Sequence, residues 1–279
     1  MIFTDKRRIR VAILDMNEGH ENQGMRCLRE IVNQWAEVNQ LDVITKEFEV
    51  RLHHQLPGTD FDIYLSSGGP GSPLESVGSE WEKHYFNWLD SVENWNNNEN
   101  NFPRKHVFFI CHSFQLASRY YNIANVCKRN SNSFGVFPMH LMDEARDEIV
   151  FAGLKNPFYA VDSRDFQVIE PNYSRLTAMG GKILALEKER PHVPLERAIM
   201  AIRFNEYFIG TQFHPEADAV GMSMYLQRED KKKGIVANYG EAKWSSMIEQ
   251  LNDPDKILFT YSHILPNFLN HAVEELVEA

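Results

Sequence analysis

Cys111 closes the apolar run Phe108-Phe109-Ile110 and directly precedes a helix-forming segment that starts at His112; far downstream stands Gln212-Phe213-His214-Pro215-Glu216. A cysteine attacks carbonyl carbon as its thiolate, and a helix N-terminus, with its unpaired N–H groups, favours that charged form. The residue before a proline is driven to extended geometry, so His214 and Glu216 present their side chains to the same side. Glu216 can then orient the imidazole while His214 takes the thiol proton and returns it to a leaving amine. Each residue alone also has a plain structural reading: a buried cysteine that fills space, or a strand-end histidine beside a loop carboxylate.

The third element is the loop Ser66–Pro73, S-S-G-G-P-G-S-P, too rich in Gly and Pro to continue a strand or helix. It lacks the G-K-[ST] ending of a P-loop, and no G-x-G-x-x-G opens a helix. Its backbone amides are suited instead to an oxyanion; a simple surface turn is the alternative. His53-His54 makes a poor metal pair, because adjacent residues on a strand point opposite ways.

Short apolar runs alternating with amphipathic helices position these groups. Strands are expected at Arg10–Asp15, Asp42–Val50, Phe61–Leu65 and His106–Ile110. Helices are expected at Gly24–Asn39, Trp81–Trp95 and His112–Tyr121, with Asn96–Asn101 as a solvated loop. The β-α-β-α-β opening predicts a doubly wound, mostly parallel open sheet, flavodoxin-like, with ligands at the carboxyl ends of its strands, where Cys111 and the Gly-rich loop both fall. Beyond it, Phe134–His140, Glu148–Phe151, Phe158–Val161 and Phe166–Ile169 read as short strands of a small antiparallel addition, and Ala198–Phe204 pairs with Tyr207–Gln212. From about Val220 the chain reads as helical, best at Lys243–Leu251 and Ile264–Val277. We expect one domain over 1–218 and a helical extension over 219–279 packed on it.

With 279 residues and 43% hydrophobic content, the chain can bury one substantial core. A net charge of -10 and a pI near 5.6 exclude the basic face that nucleic-acid binding requires; Lys231–Lys233 is the only basic run of note. Cys27, Cys111 and Cys127 form no C-x-x-C pair, so no disulfide framework or cysteine zinc site is expected, and a reducing cytoplasm fits. The start, M-I-F-T-D-K-R-R, resembles neither a signal peptide nor a membrane span.

Together, S-G-G-P-G-S-P, I-C with Gln four residues after the cysteine, and Q-F-H-P-E resemble the class I, triad-type glutamine amidotransferases over roughly residues 9 to 218. F-G-V-F-P and F-Y-A-V-D-S-R-D-F-Q-V are similar to the subgroup related to the glutaminase domain of GMP synthase. The resemblance implies Cys111 as nucleophile, His214 as base and Glu216 as its orienting partner. It also implies oxyanion donors from the backbone of Gly69 and His112, with Gly71, Gln115 and Asp165 near a bound glutamine. A γ-glutamyl thioester would form and ammonia would pass to a synthetase domain or partner, without cofactor or metal. No S-G-G-x-D-S synthetase loop follows residue 218, so the expected protein is a subunit or a free-standing enzyme.

The chain departs from the family's G-x-C-x-G-x-Q elbow by Phe109 and Ser113, and Phe109 is expected to reshape the turn or its packing. Arg164 stands where the subgroup often has histidine, and is expected to alter recognition of the substrate's α-carboxylate or α-amino group. These departures leave two further readings: a γ-glutamyl peptide hydrolase or acyltransferase of the same superfamily, and a catalytically silent binding module.

Overall fold

The computed structural model describes residues 8–251, 253 and 256–277, so the charged residues 1–7 lie outside it. Its nine strands are β1 (Ile9–Asp15), β2 (Val43–Glu49), β3 (Ile63–Ser66), β4 (His106–Ile110), β5 (Asn125–Leu141), β6 (Phe158–Ile169), β7 (Lys182–Glu187), β8 (Ile199–Arg203) and β9 (Phe208–Thr211). They form one sheet in the order β2-β1-β3-β4-β9-β8-β7-β5-β6. The first five of that order pair in parallel, and from β9 outward every pairing is antiparallel.

The parallel strands β3, β4 and β9 are buried along their whole length because helices cover both faces. Helix α1 (Gln23–Val38), capped by Asn22, turns Met25, Leu28, Ile31, Val32 and Trp35 onto one face. The opposite face is covered by α2 (Glu80–Asn97) and α3 (His112–Tyr120), through Tyr85, Trp88, Leu89, Phe114 and Leu116. After α4 (Tyr173–Ala178) and the last strands come α5 (Ala219–Gln227), α6 (Glu229–Tyr239), α7 (Glu241–Leu251) and α8 (Ile257–Val277). Ile264, Leu265, Phe268 and Leu269 of α8 enter the same core as α1.

Several expectations are corrected. Glu148–Phe151 is not a strand: Ile149–Phe151 is a 3-10 turn, started by the Glu148 carboxylate accepting from the Val150 N–H. Phe158–Val161 and Phe166–Ile169 are the ends of one strand, β6, because Ser163 to Arg164 also pair with β5. Strand β7 and helix α4 have no counterpart among the expected elements; both are short and flanked by Gly180-Gly181. The Asn-rich stretch is exposed at Asn97, Asn98, Glu99 and Asn100, but its first residues belong to α2, and the Arg104 guanidinium donates to the carbonyls of Asn96, Asn98 and Asn101.

Candidate active site

Cys111 sits between β4 and α3 at φ 49° and ψ -97°, a left-handed backbone that side chains seldom adopt. Such strain at a strand-to-helix turn lifts the side chain above the end of the sheet, as in a nucleophile elbow, although Cys111 itself is buried here. Cys111 N–H donates to the Thr211 carbonyl at 2.8 Å, which extends the β4–β9 ladder by one step and fixes the turn's height. His112 begins α3, so its N–H lies among those with no acceptor inside the helix.

The two replaced glycines are accommodated in different ways. Phe109 is fully buried, with its ring edge-on to Phe204 and Phe208. Its partner in register is Gly210, where an added Cβ would lie 2.9 Å from the Phe109 Cβ and 2.9 Å from its carbonyl oxygen. The space that a glycine at 109 would leave is supplied by the strand alongside, so the aromatic ring alters packing while the turn keeps its strained geometry. Ser113 adds a tie: its hydroxyl accepts from Ile110 N–H at 2.9 Å and donates to the Ser66 carbonyl at 2.7 Å.

That tie reaches the Gly-rich loop. Ser67 Oγ accepts from Met16 N–H at 3.0 Å, which pins the loop to the end of β1. An added Cβ on Gly69 would lie 2.3 Å from the Met16 carbonyl, and one on Gly68 would lie 2.8 Å from His214 Cε1 and 3.4 Å from Cys111 Cβ. Only glycine therefore fits at either position, and the bare Gly68 backbone lies against both Cys111 and His214. Gly71, at φ 87°, is directed toward Arg51, which donates to the Pro70 carbonyl.

His214 enters from β9, held by its N–H donating to the Val161 carbonyl at 2.8 Å. Its Nδ1 lies 2.8 Å from Glu216 Oε1. Burial pushes the imidazole down, but Glu216 and Cys111 beside it outweigh burial and hold it well above its ordinary range. Glu216 is itself buried, against the first turn of α1, where an added Cβ on Gly24 would lie 3.1 Å from its Oε1; the helix N-terminus favours its negative charge. Burial pushes His112 down to about 3, helped by Arg51 and Arg119, so its ring is neutral at physiological pH.

Besides His214, two groups lie against the sulfur. The Ser163 carbonyl lies 3.7 Å from Cys111 Sγ, and Gln212 Nε2 lies 3.6 Å from it. Gln115 donates from its own amide to Gln212 Oε1 at 3.0 Å. Sequence reasoning assigns no part to Gln212, Gly68 or Ser163. The signal for Gln212 is nevertheless present, because a parallel β9 ending beside β4 sets residue 212 next to residue 111.

Asp165 lies two residues beyond Ser163 on β6, exposed, and accepts from the Asn132 amide at 3.0 Å. Arg164 points to the other face. It is buried, with Nε 3.0 Å from Asp162 and Nη2 3.0 Å from Glu187, so its charge is engaged within the protein. Cys27, the other buried cysteine, is pushed up to about 12 by burial and by Asp218, which leaves it an inert thiol. Among the described residues no group of acidic, histidine or cysteine side chains could hold a metal, and no helix is long and apolar enough to cross a membrane.

The model of the family described as glutamine amidotransferase class-I matches residues 22–229. No match was found among curated proteins. Among solved structures, a glutamine amidotransferase of Thermotoga maritima is 14% identical, with a TM-score of 0.68 over 95% of this chain and 98% of that one. The glutaminase domain of Trypanosoma brucei CTPS, with bound acivicin, is 13% identical, with a TM-score of 0.59 over 96% and 94%. A GMP synthase-like protein of Thermoplasma acidophilum is 17% identical, with a TM-score of 0.51 over 84% and 97%. At these identities the likeness is one of fold.

Proposed function

The chain belongs to the class-I glutamine amidotransferases, and from that premise we propose that it cleaves the γ-amide of glutamine, or of a related γ-glutamyl compound, through Cys111, His214 and Glu216. The observation that carries this reading is the His214 imidazole, pinned 2.8 Å from Glu216 and held well above its ordinary range, against the effect of burial, by Glu216 and then by Cys111. An imidazolium beside the sulfur is the partner a thiolate needs, and it is also the acid a leaving amine needs.

In the proposed reaction, the Cys111 thiolate attacks the γ-carbonyl carbon, and the carbonyl π electrons move to oxygen. The backbone N–H groups of Gly69 and His112 stabilise that oxyanion. Collapse breaks the C–N bond while His214 gives its proton to nitrogen, so ammonia leaves and a γ-glutamyl thioester remains. His214, now neutral, takes a proton from water as the water attacks the thioester; glutamate leaves and the thiolate–imidazolium pair returns. Gly71, Gln115 and Asp165 border the volume a glutamine would occupy. Ammonia passes to a synthetase partner, and the reaction takes place in the cytoplasm. Residues 219–279 extend the same domain, with α8 supplying core side chains.

The test incubates purified protein with glutamine and a panel of γ-glutamyl amides and measures ammonia and glutamate, with Cys111→Ala as control. Cys111-dependent release of both from at least one amide is expected. No Cys111-dependent product from any of them sinks the proposal.

A further inference from the structure

We infer that Gln212 is a catalytic residue of this site, its side-chain N–H donating to the Cys111 sulfur and holding it as the nucleophilic thiolate, with Gln115 positioning the Gln212 amide. The inference rests on the reading of Cys111 as nucleophile and gives a part to a side chain that reading leaves idle.

The backbone brings the three residues together. Ile110 is in register with Thr211, and Cys111 N–H donates to the Thr211 carbonyl, so residue 212 emerges directly beside the elbow. Gln115 lies one helical turn beyond Cys111, its N–H donating to the Cys111 carbonyl at 3.0 Å. Both glutamine side chains are buried, Gln212 completely. In such surroundings an amide dipole acts on a neighbouring charge with little screening by water.

A carboxamide has a donor end and an acceptor end, and only the donor end stabilises an anion. Gln115 Nε2 occupies Gln212 Oε1 at 3.0 Å, which leaves Gln212 Nε2 facing Cys111 Sγ at 3.6 Å. Turning the Gln212 amide around would set two NH2 groups against each other, which is repulsive, and would set against the sulfur a carbonyl oxygen that opposes the thiolate. Besides His214, the sulfur also meets the Ser163 carbonyl at 3.7 Å, an acceptor that favours the neutral S–H. The sulfur thus lies between a group that favours the thiol and one that favours the thiolate, and Gln212 acts with His214 to tip the balance.

The test measures the rate at which iodoacetamide alkylates Cys111, followed by peptide mass spectrometry from acid to alkaline pH, with Cys27 as an inert reference. A donor lost from an anion slows the reaction about tenfold at neutral pH in Gln212→Leu, and the rates converge with wild type in strong alkali, where the thiol ionises unaided. Gln115→Glu keeps the side chain's size but presents only acceptor oxygens, which turns the Gln212 amide around and slows labelling by a similar factor. Should Gln212→Leu fail to fold, Gln212→Asn keeps an amide in the pocket while withdrawing its donor from the sulfur, and the same slowing is expected. Wild-type labelling rates at neutral pH in folded Gln212 and Gln115 variants overturn the inference. Because labelling needs no substrate, the outcomes separate: rapid, Gln212-dependent labelling without amide cleavage contradicts the proposed function alone, and amide cleavage with Gln212-independent labelling contradicts this inference alone.

Discussion

The parallel half of the sheet and its antiparallel half bury their residues in opposite ways. Strands β3, β4 and β9 are buried throughout and largely apolar, and apart from His106 at the start of β4 their polar groups collect at or just past their carboxyl ends: Ser66 and Ser67, Cys111 and Ser113, Thr211, Gln212 and His214. In the antiparallel half, β5, β6 and β7 bring charges inside, where Arg164 joins Asp162 and Glu187 and Arg129 adds a second contact to Glu187 at 3.3 Å. One half holds its shape mainly by apolar burial and gathers the polar groups of its candidate site at one end of the sheet. The other uses its polar groups on one another, in an arrangement that stands or falls as a unit.

If that division is right, substitutions in the two halves fail differently. The largest effect is expected at the elbow: Cys111→Ala and His214→Ala each reduce turnover by at least about a thousandfold, measured as kcat, while the melting temperature stays near wild type. Next comes Arg164→Ala, which leaves two buried carboxylates short of a partner; unfolding by denaturant should show a loss of about 3–5 kcal/mol, with turnover per folded molecule retained. This pair has a sign with pH as well. Burial pushes Glu187 up, yet Arg164, the Ala198 N–H, Arg129 and Arg190 together hold it below its ordinary 4.5. Its contribution is therefore present above that value and lost as pH falls below it, a dependence that Arg164→Ala should flatten.

Gly210→Ala tests the seam between the halves. Its methyl would meet Phe109 Cβ and carbonyl at 2.9 Å, so we expect a loss of about 1–3 kcal/mol in the same assay, relieved in part by glycine at 109, which alone removes that Cβ. The smallest effect is a shift in profile. Glu216→Gln removes a group that raises His214, so the imidazolium is lost at lower pH, and the alkaline limb of kcat should move down by about one pH unit.

The same division explains what could be read from the sequence. The positions of β1, β3, β4, α1 and α3, together with the joining of Cys111, His214 and the glycine loop, follow from apolar runs and from topology, because the loop after each parallel strand opens at the same end of the sheet. The role of Arg164 was not legible: its partner Glu187 is 23 residues away on a strand the sequence did not announce. Gly210 was hidden for a related reason, since the need for a glycine there comes from Phe109, a neighbour only once β9 inserts beside β4. Gln212 stood inside a recognised motif, but its task depends on a side-chain contact with Gln115 that no spacing encodes.

The most direct measurement is intact and peptide mass spectrometry of the protein exposed to a glutamine-shaped electrophile such as acivicin. The account predicts one adduct per chain, located on Cys111, abolished in Cys111→Ala and slowed by excess glutamine. An adduct confined to Cys27 or Cys127, or none at all on folded protein, would contradict it.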